Sequence, residues 1–113
     1  MAVGPLSPNR SAAEFGARLN RLVAHAQSLH DAVIRPAPGL PGDEIVATKL
    51  RRYLRVEKVR RNNEADRSVY AFIDPENGDI YKAESWSKPA AKVRGNLYEA
   101  DNGFHCLNWH GAK

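Results

Sequence analysis

A chain of 113 residues with 42% hydrophobic and 27% charged side chains has room for one hydrophobic core, which excludes a second domain. Its 17 Lys and Arg against 13 Asp and Glu give a formal charge of +4, a balance that favours anionic partners. The single cysteine, Cys106, excludes an internal disulfide, and no apolar run reaches the length of a membrane span.

Residues 1–10 hold two prolines and a glycine and no periodicity, and read as a flexible arm ahead of one domain over 11–113. The opening Met1-Ala-Val-Gly-Pro-Leu-Ser-Pro8 lacks the basic start and apolar centre of a signal peptide, so a cytoplasmic location is expected. Ser11-Ala-Ala-Glu14 has the form of a capping box and predicts a helix over 11–34. Phe15, Leu19, Leu22, Val23, Ala26, Leu29 and Val33 then recur at steps of three and four and lay one apolar stripe along it. That stripe either packs on the protein's own sheet or serves homo-oligomerisation. Three prolines and two glycines in residues 35–42 end the helix and make a stiff linker. Asp43 is placed to cap a short helix through about Lys49.

Residues 49–61 carry seven Lys or Arg and one Glu, so the positive field is concentrated there. Alternation predicts a strand from about Arg52 to Arg60, with Arg51, Tyr53, Arg55, Glu57 and Arg61 on one face and Leu54 and Val56 on the other. The firmest local signal is the turn Asp74-Pro-Glu-Asn-Gly-Asp79 between β-rich segments, a hairpin with strands near 68–73 and 80–83 and Ile73 opposite Ile80. In that register Val69, Ala71, Ile73, Ile80, Lys82 and Glu84 share one face, and Tyr70, Phe72, Tyr81 and Ala83 the other. The aromatic face is the expected core. After Trp86, Ser87 as a cap, Pro89 in a first turn and Gly95 as a stop predict a short basic helix carrying Lys88, Lys92 and Arg94. Its amino end is a candidate anion site, with a solvated basic face as the alternative. Residues 104–110 alternate loosely, as a further strand would.

The chemistry-bearing residues are few. Tyr70-Ala-Phe-Ile73 matches only the middle of the RNA-recognition signature, and a hairpin follows where that fold needs a helix. His105, Cys106 and His110 lack a second cluster to complete a zinc site, and adjacent strand residues His105 and Cys106 point apart, so no catalytic pair, metal or cofactor is expected. The candidate residues are therefore those of a binding surface. Arg51, Tyr53, Arg55 and Arg61, with Trp86, Lys88, Lys92, Arg94 and Asn96, form a track in which cations meet phosphates and aromatic rings stack on bases. The alternative is that Glu57, Glu64, Asp66 and Glu84 neutralise them.

Ser85-Trp86, Pro89-Ala90, Lys92 and Arg94-Gly95-Asn96, behind a hairpin, resemble a pattern in small bacteriophage-encoded proteins of uncharacterised function. The resemblance covers about a quarter of the chain and implies an origin in an infected bacterial cell, with no activity attached. The expectation is an α+β domain, with the amphipathic helix and a short basic helix on a small antiparallel sheet of three or four strands. The expected role is a non-catalytic accessory protein that binds nucleic acid. Capture of a nucleotide, or of a host or virion protein, remains the alternative.

Overall fold

The computed structural model describes residues 11–34, 42–60 and 63–113. The arm over 1–10 and most of the 35–42 linker lie outside them. Helix α1 (Ala12–Val33) is followed by five strands, β1 (Asp43–Lys49), β2 (Leu54–Arg60), β3 (Asn63–Ile73), β4 (Asp79–Ser85) and β5 (Lys88–Asn96). A 3-10 turn over Phe104–Cys106 then leads into the two-residue strands β6 (Leu107–Asn108) and β7 (Gly111–Ala112). The five strands form one antiparallel meander in the order β1-β2-β3-β4-β5. The chain is thus α+β, as expected, with one helix on a larger sheet.

Helix α1 starts where its cap lies: the Glu14 amide donates to Ser11 Oγ at 3.0 Å. Ser11→Ala is expected to cost about 1 kcal/mol, read as a lower midpoint in chemical denaturation, while Ser11→Gly costs only a few tenths. Leu22 and Ala26 are fully buried in the main cluster, and Phe15, Leu19, Val23 and Leu29 pack against it, so the helix covers its own sheet. Val33, at the end of the stripe, is 53% exposed. Gln27 fixes the helix to the outer edge of β1, donating to the Asp43 carbonyl at 2.9 Å and accepting from the Ile45 amide at 2.7 Å. That double bond occupies backbone groups which an edge strand otherwise leaves open.

Two expected helices are strands. Residues 43–49 pair with β2 along their whole length, from Asp43 opposite Arg60 to Lys49 opposite Leu54. The β-branched Ile45, Val46 and Thr48 suit that pairing, and Asp43 binds His30 instead of capping. Residues 88–96 pair with β4, and Trp86 and Ser87 are the turn between the two strands. Pro89 is tolerated because β5 is a sheet edge, where a missing N–H breaks no ladder. The helix-start anion site expected at Ser87 therefore does not exist.

The central hairpin pairs Ile73 with Ile80, as read from the sequence. Gly78 alone in its turn takes positive φ, +82°, while Asn77 uses its Oδ1 to accept from the Asp79 amide. The expected division of faces is broken by a bulge. Val56 lies opposite Ala71 and Glu57 opposite Val69, which leaves Tyr70 as the extra residue. Tyr70 joins Ala71, Ile73 and Ile80 in the cluster beneath the helix, and its hydroxyl donates to the Asn108 carbonyl. Phe72 is buried outside that cluster, against Tyr53. The aliphatic face, with one aromatic added by the bulge, is therefore the helix-covered core. At the carboxyl end the β6–β7 pair closes against β3. Gly111 sits so near Tyr70 that a Cβ there would lie 2.7 Å from its carbonyl oxygen.

Candidate binding face

On the side of the sheet away from α1, Arg55 and Glu57 point the same way from β2 by strand alternation, and Arg67 reaches the same carboxylate from β3. Glu57 is 0% exposed. Its Oε2 accepts from Arg55 Nε and its Oε1 from Arg67 Nη1, both at 2.8 Å. Burial raises the Glu57 pKa, but the bonds from Arg55, Arg67 and Thr48 outweigh it and hold the carboxyl below its ordinary 4.5. Glu57 and Arg55 are thus buried and bonded to each other, with Arg67 reaching in from a more exposed position.

Trp86 stands on this base. The Arg55 guanidinium carbon lies 3.7 Å from the indole centroid, and its Nη1 donates to the Trp86 carbonyl at 3.0 Å. One cation thus holds both the ring and the backbone of the β4–β5 turn. Trp86 nevertheless remains 45% exposed. Beside it, Tyr53 from the β1–β2 turn meets Tyr81 edge-on at 5.9 Å and Phe72 at 6.2 Å. A groove of about 400 Å³ runs from these tyrosines to Pro89, Ala90 and Ala91, with Glu84 and Lys88 on its walls.

The predicted cations divide into two groups. Arg55 is internal, spent on Glu57 and Trp86. Lys88 pairs with Glu84 at 3.3 Å across exposed side chains. Arg61 lies outside the described residues. Arg51 in the β1–β2 turn and Lys92 on β5 are exposed, Arg94 is half-buried, and none forms an ion pair with the described residues. The same holds for Lys49. Asn96 is structural: its amide donates to the Asn77 carbonyl and to Asp79, and its Oδ1 accepts from the Tyr98 amide. Arg52, absent from the predicted set, grips the buried Asp74 with two bonds of 3.1 and 2.8 Å and stacks on Tyr53 at 4.6 Å. Glu57 also escaped prediction as a site residue, although the one carboxylate in a run of seven cations was the available signal.

The other polar clusters resolve internally. A cavity of about 240 Å³ near Trp109 holds His30, Asp43, Lys58, Arg60 and Asp66. There His30 Nε2 pairs with Asp43 at 3.0 Å, and Arg60 lies between Asp43 and Asp66 at 3.6 and 3.4 Å. Glu99 and Asp101 accept from the amides of Asn96, Gly103 and His105, so they hold the loop before β6. The bond to Glu99 also raises the His105 pKa. Cys106, on the 3-10 turn rather than a strand, is buried and donates to the Gly103 carbonyl, and burial pushes its thiol up to about 11.

Fold and face together define a small α+β domain that presents an aromatic groove with Glu84 and Lys88 on its walls. Residues 21–113 match the model of the Family of unknown function (DUF7717), and the chain belongs to that family. No curated protein and no solved structure matches it. The family match extends through most of α1, well beyond the stretch that carries the phage-like pattern. Among the described residues no helix is long and apolar enough to cross a membrane.

Proposed function

We propose that this chain is a non-catalytic accessory protein of bacteriophage type whose open sheet face binds nucleic acid. The observation that carries the reading is the groove of Tyr53 and Tyr81 with Lys88 on its wall, held only by an exposed pair with Glu84, together with the exposed Arg51 two residues before Tyr53 and the half-exposed Trp86 in the turn beside Lys88. Cations without carboxylate partners keep their charge for phosphates, and exchange of bound counterions then supplies affinity. The rings of the groove supply the apolar contact that a purely electrostatic surface lacks. A binding role also suits Cys106, whose buried, protonated thiol is a packing side chain and a poor nucleophile.

Arg51→Gln and Lys88→Gln combined in one chain test the reading, because both side chains are exposed and neither has a buried charged partner among the described residues. Replacing Arg55 would not serve, since it would break the triad under Trp86. The double variant is expected to melt like the parent. Its affinity for an oligonucleotide should fall several-fold or more at low salt, and its salt slope should drop by roughly 1.4, the share of two phosphate contacts on a single strand. Anisotropy titrations at several salt concentrations measure both. An unchanged slope sinks the proposal.

A further inference from the structure

We infer that the nucleic acid taken by this face is single-stranded, with one unpaired base stacked on the exposed surface of Trp86 and a neighbouring base in the groove beside Tyr53 and Tyr81. The inference rests on the nucleic-acid reading above and names the ligand class within it. Its first ground is that Trp86 is braced from one side only. The Arg55 guanidinium at 3.7 Å covers part of the indole, and that guanidinium is itself pinned by Glu57 and by the Trp86 carbonyl. A tryptophan on a two-residue turn would ordinarily lose considerable side-chain freedom on binding. Here the Arg55 contact already restrains the ring in the free protein, and its exposed remainder is open to a flat partner.

The second ground is shape. The groove, about 400 Å³, is bounded by tyrosine rings and by Pro89, a lining that suits a planar ring. In a duplex every base face is covered by its neighbours, so neither the indole nor the groove can be used without unstacking. An unpaired strand offers those faces freely, and base-on-aromatic contact tolerates any sequence. The third ground is charge beside the rings: Arg51 is exposed in the turn that carries Tyr53, and Lys88 stands on the groove wall, so a phosphate chain can pass there while its bases turn inward. At the groove wall the Glu84–Lys88 pair offers an acceptor and a donor to a base edge.

The test uses the full chain with Trp109→Phe as background, so that indole emission reports Trp86 alone. Labelled oligo-dT and oligo-U of 12 nucleotides and a 12-base-pair duplex are titrated at one salt concentration. The single strands are expected to quench the indole and bind at least tenfold tighter than the duplex, with the DNA and RNA arms showing which sugar is preferred. Trp86→Ala should lower single-strand affinity by roughly tenfold and leave duplex binding unchanged. Trp86→Phe, which keeps an aromatic plane, should retain most of the affinity and guards against misreading a folding defect. Duplex binding equal to single-strand binding, or single-strand binding without quenching, overturns the inference while the cationic-face reading stands. Failure of every oligonucleotide to bind overturns both.

Discussion

Glu57→Ala is expected to lower the stability of the domain by about 3 kcal/mol, a large part of the roughly 5–15 kcal/mol that holds a domain of this size together. The cost comes from what the carboxylate leaves behind. Arg55 is almost wholly buried, with its Nε aimed at Glu57 and its remaining contacts on Trp86. Without Glu57 it is a desolvated cation with no counter-charge. Arg67 is more exposed and can turn to water, which places the estimate at the low end of the range for broken buried pairs. Glu57→Gln keeps an oxygen acceptor and should cost less. Urea denaturation of the three proteins measures the series, and equal stability of Glu57→Ala and parent would remove the triad from the account of the fold. The acid limb follows from the same carboxylate. Because its folded pKa is depressed, its stabilisation is fully present above the ordinary value of 4.5 and is lost as pH falls through the lower folded value. The gap between parent and Glu57→Gln should therefore be widest near neutrality and should shrink in acid.

The parts of the fold legible in the sequence are those whose signals are local. Ser11 caps, and the three-and-four spacing from Phe15 to Leu29 faces one sheet, because a helix is made by neighbours along the chain. The turn at residues 74–79 fixes the register of Ile73 and Ile80 for the same reason. Where partners are distant, local signals mislead. Ser87, Pro89 and Gly95 carry helix punctuation, yet β4 recruits residues 88–96 through a ladder that no single segment encodes. Asp43 looks like a cap until His30, thirteen residues earlier, claims it. Tyr70 changes faces through a bulge whose cause lies in the pairing of β2 with β3. The candidate face was legible by composition, as a basic run beside aromatics. The work of each cation was not. Alternation put Arg55 and Glu57 on one side, but only their burial with Arg67 and Trp86 turns Arg55 from a phosphate contact into a support. Arg51 and Lys92 stay exposed and form no ion pair with the described residues.

Phe72→Ala is expected to destabilise the protein by about 3–4 kcal/mol and to damage the face as well. Phe72 is fully buried, though no described helix covers its side of the sheet; the roof over it includes Tyr53, 6.2 Å away, and Tyr81 sits opposite it on β4. Removing the ring takes the floor from both tyrosines. They can settle partly into the space, which keeps the cost below the 5 kcal/mol that a rigid cavity would exact. Phe72→Leu refills most of the volume and should cost no more than about 1.5 kcal/mol, leaving a folded protein in which the groove alone is altered. That variant separates shape from charge. If the groove seats a base, oligonucleotide affinity should fall several-fold in Phe72→Leu with the salt slope unchanged, the converse of the result expected when Arg51 and Lys88 are neutralised. If the tyrosines are only a lid on the core, Phe72→Leu will bind like the parent, and the aromatic half of the face drops out while its cations remain.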